Sequence, residues 1–146
     1  MHYLIAGAGG MLGTALQTVL AERGAEVTAP PESGFDIPDP VAVADIVRRF
    51  AASLRGDAGV LLNAAAFTNV ERAEEEPDLA YRVNEDGARI LAQAARDAGL
   101  VFVHISTDCV FDGTKDAPYV EDDEPNPLSV YGASKLAGER AVTEAC

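Results

Sequence analysis

The sequence predicts an α/β fold: a doubly wound parallel sheet with helices on both faces. Short apolar runs of strand length alternate with longer stretches in which apolar residues recur at helical spacing. The runs are apolar at successive positions, a pattern typical of parallel strands that are covered on both sides. No composition shift or linker divides the chain, so residues 1–146 are predicted to form a single domain.

Each strand is predicted by an apolar run that ends in small or turn-forming residues. The runs read HYLIA, AEVTA, GVLLNAAA and LVFVHIST, at residues 2–6, 25–29, 59–66 and 100–107. The second run is followed by PPESGFDIPDP, a loop rich in Pro and Gly with one short extended piece expected at residues 35–37.

Four helices are predicted by apolar spacing and by their end signals. Asp39 before Pro40 is typical of an N-cap and a first helical position. The third helix is expected to be long and unbroken. The expected spans are Met11 to Gly24, Pro40 to Gly56, Pro77 to Gly99, and about Leu128 to Cys146. A doubly wound sheet normally continues after such a helix, so we expect the chain to be part of a longer protein.

Composition excludes several classes of function. The formal net charge is −13, which argues against nonspecific binding to nucleic acid or to an anionic membrane. No apolar run is long enough to span a bilayer, and the first residues lack the basic start of a signal peptide. Cys109 and Cys146 show no metal-type spacing, and His2 and His104 are expected to be structural. A cytoplasmic protein without a metal is expected.

A glycine-rich turn follows the first predicted strand. In GAGGMLG, Gly7, Gly10 and Gly13 fit the spacing G-x-x-G-x-x-G. Glycines allow a tight bend and close approach of a pyrophosphate, which the free N–H groups of the next helix can bind. Residues 11–21 carry no charge, so no acidic side chain opposes an anion there. The turn therefore predicts dinucleotide binding.

The choice between NADH and NADPH stays open in the sequence. An acidic residue at the end of the second strand favours the ribose 2′-OH of NADH, and an Arg favours the 2′-phosphate of NADPH. Only Glu32 lies near that position, slightly late, and no Arg or Lys accompanies it.

Tyr131 and Lys135 are four residues apart on the last predicted helix, so they share one face. An ammonium group beside a tyrosine favours its phenolate form, which suits general acid–base catalysis. Upstream, Ser106 and Thr107 end the fourth predicted strand. Ligands of such sheets lie at the carboxyl ends of the strands, where a hydroxyl can bind a substrate carbonyl.

These features occur in one order with several long segments: NAAAFTNVERAEEEP, Val83–Asn84, STDCVFDG and NPLSVYGASKLAGE. Over essentially its whole length the chain resembles the extended short-chain dehydrogenase/reductases. The resemblance implies a Rossmann-type fold and NADPH or NADH as cofactor. It also implies reduction of the 4-keto group of a nucleotide-linked deoxysugar, with that nucleotide-sugar as the substrate.

The resemblance also implies roles for matching residues. Thr107, Tyr131 and Lys135 would be catalytic, and Asn84 would be a structural position on a helix. The cofactor would be bound by the glycine turn, by a pair that flanks the adenine, by the residues after the third strand, and by the Tyr–Lys pair. These are Gly7, Gly10, Met11, Leu12, Gly13, Asp36, Ile37, Asn63, Ala64, Ala65, Ala66, Thr68, Tyr131 and Lys135.

Two departures from the family pattern matter. Cys109 stands where the family usually has Tyr or a similar group, so a substrate contact is expected to differ there, and we expect Cys109 to be a packed small residue and not a nucleophile. The family's C-terminal substrate lobe would follow Cys146 and is absent from the sequence. We therefore expect these residues alone to bind cofactor weakly without turnover. The last strand is expected to be an exposed sheet edge, which favours association such as a homodimer.

Two other functions fit the same motifs. One is a nucleotide-sugar epimerase or dehydratase, which would keep a tightly bound NAD. The other is a non-catalytic NADP-binding regulatory subunit of the kind that accompanies methionine adenosyltransferase. An intact Thr107, Tyr131 and Lys135 set favours the reductase over the second alternative.

Overall fold

The computed structural model describes residues 1–146 as a parallel four-stranded sheet with six α-helices. The strands are β1 (His2–Ala6), β2 (Glu26–Thr28), β3 (Gly59–Asn63) and β4 (Val101–His104). The helices are α1 (Met11–Glu22), α2 (Pro40–Ser53), α3 (Val70–Glu75), α4 (Pro77–Tyr81), α5 (Ala88–Asp97) and α6 (Val130–Ala145). None of these helices has the length and apolarity needed to cross a bilayer.

The strand order is β2-β1-β3-β4, with every neighbouring pair parallel. His2 pairs with Glu26 on one side and Gly59 on the other, and Val60 pairs with Val101. The chain moves outward from β1 to β2 and then crosses back to β3. Because such crossovers are right-handed, α1 covers one face while α2 and α5 cover the other. The predicted doubly wound α/β sheet is confirmed.

The main core lies between the sheet and the pair α2 and α5. Its fully buried members include Leu4, Leu61, Val43, Val47 and Leu91. The opposite face of β4 is open, since Val101 is 60% and Val103 38% exposed. β4 is also the last strand in the order, which confirms the expected exposed edge.

Two local predictions were wrong, and one short helix was not predicted. Residues 35–37 form no strand, because Pro38 and Pro40 cannot donate to a ladder, and the side chains of Phe35 and Ile37 instead enter the core. A short helix, α3, occupies an acidic stretch without apolar periodicity, and the Asn69 side chain caps it by accepting from Arg72 N. The third predicted helix is not one regular α-helix.

The interruption of that helix is a π-helical segment, Arg82–Gly87, between α4 and α5. It brings the backbone of Asn84 next to α6: a Cβ on Gly138 would lie 2.2 Å from Asn84 O. A π-bulge adds one residue to the turn and commonly occurs at functional sites. Here it places the buried Asn84 between the loop after β3 and helix α6.

Candidate active site

A cleft of about 760 Å³ opens at the carboxyl ends of β1 and β3, where the strand order reverses because β2 lies on one side of β1 and β3 on the other. Ligands of open α/β sheets bind at such switch points. We call this cavity the switch-point cleft. Its walls are the glycine turn, the loop at residues 30–38, the small residues after β3, and the π-helical region.

Seven of the residues implied for cofactor binding line the switch-point cleft together. They are Gly7, Gly10, Asp36, Ile37, Ala64, Ala65 and Ala66. The Asp36 side chain is exposed and makes no hydrogen bond within the chain, so its carboxylate is free to accept one from a ligand. Thr68 is exposed on the loop beyond Ala66 and does not line the cleft.

Two glycines are required by the close packing of the turn. Gly7 has φ +76°, and a Cβ there would lie 2.5 Å from Ala65 N. A Cβ on Gly13 would lie 2.2 Å from Gly7 O and 2.7 Å from Ala8 Cα. Contacts this short are not tolerated, so both positions accept only glycine. The turn is thereby held against the residues that follow β3 and against the start of α1.

The N-terminus of α1 offers free donors to an anion. The backbone N–H groups of Met11, Leu12 and Gly13 make no hydrogen bond within the chain. Gly10 at the N-cap position provides no side-chain cap, and the first turn holds no acidic residue. Met11 is 95% exposed, so nothing covers this helix end. These residues fit a dinucleotide pyrophosphate, which backbone N–H groups at a helix start bind well.

Asn63 supports the cleft from beneath, without lining it. Its side chain is buried, with Oδ1 accepting from Ala65 N at 3.1 Å. Its Nδ2 donates to Nδ1 of His104 at 2.9 Å, which links the ends of β3 and β4. Burial, and secondarily the Lys135 cation, lower the pKa of His104 from 6.5 to about 4. His104 is therefore a neutral structural residue near pH 7.

The three residues implied as catalytic lie around the end of β4. Lys135 on α6 is 2% exposed, and its Nζ donates to Ile105 O at 2.6 Å. Tyr131 is half-buried one turn earlier, and its hydroxyl makes no hydrogen bond within the chain. The Thr107 hydroxyl donates to Asp108 Oδ1 and accepts from Cys109 N, both at 3.2 Å. A Cβ on Gly132 would lie 2.2 Å from Cys109 O, so α6 packs tightly on this loop.

Two opposing effects act on the pKa of Lys135. Burial lowers the pKa of its ammonium group from 10.5 to about 8, and the nearby Glu139 carboxylate acts in the opposite direction. A lysine with this pKa is mostly protonated at neutral pH. It can therefore stabilise negative charge on a neighbouring phenolate, as the sequence predicts.

Asn84 has the structural role that the resemblance implies. Its side chain is buried, and its Oδ1 accepts from Phe67 N at 2.8 Å. Its Nδ2 donates to Phe67 O and to Ser134 Oγ, at 3.1 and 2.9 Å. Ser134 lies beside Lys135 on α6, so Asn84 ties the loop after β3 to the helix that carries the Tyr–Lys pair.

The loop after β4 is organised by Asp112. Its carboxylate accepts from Thr114, Tyr119 and Asn126, and these hydrogen bonds hold its pKa well below the usual range. One prediction about this region is wrong: the Cys109 side chain is exposed and not packed. The reason is that its backbone carbonyl, not its thiol, contacts α6 at Gly132.

Sequence reasoning missed several residues of the site. Arg82 is the one basic side chain that lines the switch-point cleft, and it forms no ion pair. Glu32, weighed as slightly late in the sequence, does line the cleft. Gln17 on α1 donates to Ala8 O at 2.8 Å and so braces the glycine turn. No motif marks Arg82 or Gln17, because only folding brings each of them to the turn or the cleft.

Comparison with known proteins places this geometry in a family. The sequence model of the RmlD substrate binding domain matches residues 1–146. The chain belongs to this family. A dTDP-4-dehydrorhamnose reductase of Streptomyces griseus is 46% identical over 143 residues, which are 98% of this chain and 45% of that protein. The chain spans about half the length of the curated RmlD relatives that it matches.

Solved structures of similar chains have the same fold. A dTDP-4-dehydrorhamnose reductase from Bacillus anthracis, in complex with NADP, gives a TM-score of 0.91 at 37% identity, covering 99% of this chain and 49% of that one. A UDP-glucose 4-epimerase from Thermus thermophilus, in complex with NAD, gives 0.84 at 26% identity, covering 99% and 50%. The Rossmann-type fold of the RmlD chain is thereby confirmed.

Proposed function

We propose that this chain forms the cofactor-binding and proton-transfer half of a dTDP-4-dehydrorhamnose reductase that uses NADPH or NADH. The single observation that carries the proposal is that two features lie at the same end of the sheet, where the parallel strands have their carboxyl ends. The switch-point cleft with its glycine turn lies at the ends of β1 and β3, and the buried Lys135 reaches the end of β4. A solved structure of similar fold, which also supports the proposal, is a dTDP-4-dehydrorhamnose reductase in complex with NADP.

The cofactor is assigned to the residues whose packing leaves room for it. The pyrophosphate is assigned to the free N–H groups at the start of α1, and the adenine end to Asp36 and Ile37. The small side chains of Ala64 to Ala66, which follow β3, leave space for the cofactor beside the glycine turn. The bound, reduced nicotinamide supplies the hydride that reduces the 4-keto carbon of the sugar.

The side chains of this half supply the proton and the orientation. Tyr131 donates its phenolic proton to the carbonyl oxygen, so that the ketone becomes a secondary alcohol. Lys135, protonated below about pH 8, stabilises the phenolate that remains. The Thr107 hydroxyl, which otherwise donates to Asp108, turns to the same carbonyl oxygen and orients it.

The cytoplasm is the proposed compartment, since the chain's two cysteines are both free, which fits a reducing environment.

The test uses the protein as its gene encodes it, with dTDP-4-dehydrorhamnose and NADPH or NADH. The proposal requires one cofactor oxidised for each keto group reduced, measured by cofactor absorbance and by analysis of the sugar product. Lys135→Met is expected to lower kcat by about 10²-fold or more. Lys115→Met is the control: it changes the other of the two lysines in residues 1–146, and it is expected to leave kcat unchanged.

The two alternative functions give different results in the same assay. An epimerase or dehydratase would carry copurifying NAD and change the sugar without net oxidation of NADPH. A regulatory subunit would bind NADPH, fail to reduce the sugar, and form a stable complex with a methionine adenosyltransferase. Either result would contradict the reductase.

A further inference from the structure

Two side chains of α6 hold two consecutive residues at the end of β4. Lys135 donates to the carbonyl oxygen of Ile105 at 2.6 Å. Glu139, one turn further along the same face, accepts a hydrogen bond from Ser106 Oγ. The next residue is Thr107, to which the proposed function assigns the substrate carbonyl. The helix that carries the acid–base pair therefore also fixes the backbone that carries the orienting hydroxyl.

These hydrogen bonds lie partly shielded from water, which indicates that they hold the structure together and are not incidental surface contacts. Lys135 is 2% exposed, and Ser106 and Glu139 are both half-buried. Ser106 has no other hydrogen-bond partner for its hydroxyl, and Glu139 has none for its carboxylate. A hydrogen bond to a charged group that is partly withdrawn from water is stronger than an exposed one. The Ser106–Glu139 contact thus limits movement of the strand end.

The electrostatic surroundings of Lys135 contain few charged groups. On its own helix, Glu139 is the carboxylate that favours its charged form, and Tyr131 is the neighbouring phenol. From β4, the facing titratable group is His104, which is neutral near pH 7. A single carboxylate thus opposes the effect of burial on the Lys135 ammonium group.

We infer that Glu139 is a positioning residue for the reductase reaction: it holds Ser106, and through it Thr107, and its carboxylate lies one turn from Lys135 on the same face of α6. This inference rests on the proposed function, and it assigns Glu139 no contact with substrate or cofactor. Two separable effects follow. The hydrogen bond to Ser106 sets geometry, and the negative charge sets the protonation of Lys135.

Two variants separate these effects in the protein as its gene encodes it. Ser106→Ala removes the hydrogen bond and keeps the charge, so kcat is expected to fall about 10-fold through misplacement of Thr107. The KM for NADPH and the pH profile are expected to stay as in the wild type. Glu139→Gln keeps an oxygen that can accept from Ser106 and removes the charge. The alkaline limb of its kcat profile is expected to move to lower pH, because Lys135 then loses its proton more readily.

Glu144→Gln is the matched control, since Glu144 is exposed on the same helix and makes no hydrogen bond. It is expected to change neither kcat nor the pH profile. Circular dichroism and thermal unfolding establish that each variant is folded. An active wild type whose kcat and pH profile are unchanged in both Ser106→Ala and Glu139→Gln would overturn the inference.

A measurement independent of turnover separates this inference from the proposed function. The pKa of Lys135 is read by NMR of ¹³C-labelled lysine side chains, with its signal assigned by loss in Lys135→Arg. Glu139→Gln is expected to lower that pKa, and Glu144→Gln to leave it unchanged. An inactive wild type would contradict the reductase, whereas an unchanged Lys135 pKa in Glu139→Gln would contradict the role given to Glu139.

Discussion

The Asn63 amide donates a hydrogen bond to Nδ1 of His104, with 2.9 Å between the two nitrogens, across the ends of two adjacent strands. The same amide group accepts from Ala65 N at the base of the switch-point cleft. Since Nδ1 accepts, the proton of the neutral ring lies on Nε2, which is buried without a partner. A protonated ring would have to give up this acceptor, so the contact requires neutral His104.

This relationship predicts how stability depends on pH. The pKa of His104 is lowered in the folded chain from 6.5 to about 4, mainly by burial. Between these values the unfolded chain binds a proton that the folded chain does not. The free energy of unfolding is therefore expected to fall as the pH drops from 6.5 towards 4, by about 3 kcal/mol.

His104→Asn is the matched variant for that prediction. An Asn side chain can offer Asn63 an acceptor oxygen and does not titrate. The variant is expected to fold at pH 7 and to lose less stability on acidification than the wild type. Urea unfolding at several pH values measures this. An equally steep loss of stability in His104→Asn would show that other groups cause it.

We expect a contrast between two glycines of the same turn, Gly13 and Gly9. Gly13→Ala would place a Cβ 2.2 Å from Gly7 O, whereas a Cβ on Gly9 meets nothing within 4 Å. Gly13→Ala is expected to weaken NADPH binding by about 10-fold or more and to lower the melting temperature, since backbone atoms must move. Gly9→Ala is expected to keep the melting temperature of the wild type, since no protein atom has to move. Thermal unfolding would contradict this account of the turn if both variants melted at the same temperature.

The position of Arg82 leads us to expect that the protein prefers NADPH over NADH. It is the one basic side chain that lines the switch-point cleft, and an Arg near the adenosine ribose binds a 2′-phosphate. Arg82→Gln is expected to raise the Kd for NADPH by about 10-fold and to leave that for NADH nearly unchanged. Arg89→Gln, which changes an arginine paired with Asp86 nearby, serves as control. Equal losses for both cofactors would place Arg82 at a group that they share.

We expect the Asp112 side chain to keep the loop after β4 in a fixed conformation. Its carboxylate accepts hydrogen bonds from Thr114, Tyr119 and Asn126. Asp112→Ala is expected to speed amide hydrogen exchange across residues 111–126 and to leave the strands unaffected. Asp116→Ala is the control, since Asp116 is exposed and makes no hydrogen bond. Unchanged exchange in Asp112→Ala would show that other contacts, such as Phe111 stacked on Tyr119, order the loop.

Much of this architecture could be predicted because its signals are local. The alternation of apolar runs, the cap at Asp39 and the glycine spacing all lie within short segments, and the structure has each of them where expected. The resemblance, and not a local signal, implied that Gly7, Asp36 and Ala65 would bind one ligand together, and one cleft contains all three.

The remaining features depend on contacts between distant parts of the chain. The Asn63–His104 and Ser106–Glu139 bonds join residues 41 and 33 positions apart, so no local pattern marks them. The π-helical segment follows from close packing of Asn84 against Gly138, and an apolar repeat does not show it. Helix α3 buries only Ala73, which leaves no periodicity to detect.

The most direct test of the account is the turnover of Tyr131→Phe, in the protein as its gene encodes it, with dTDP-4-dehydrorhamnose and NADPH. If Tyr131 is the proton donor, the variant is expected to lose about 10²- to 10⁴-fold in kcat while its Kd for NADPH stays nearly unchanged. Tyr81→Phe, on α4, is the control and is expected to match the wild type. A Tyr131→Phe protein that reduces the sugar at the wild-type rate would contradict the proposed mechanism.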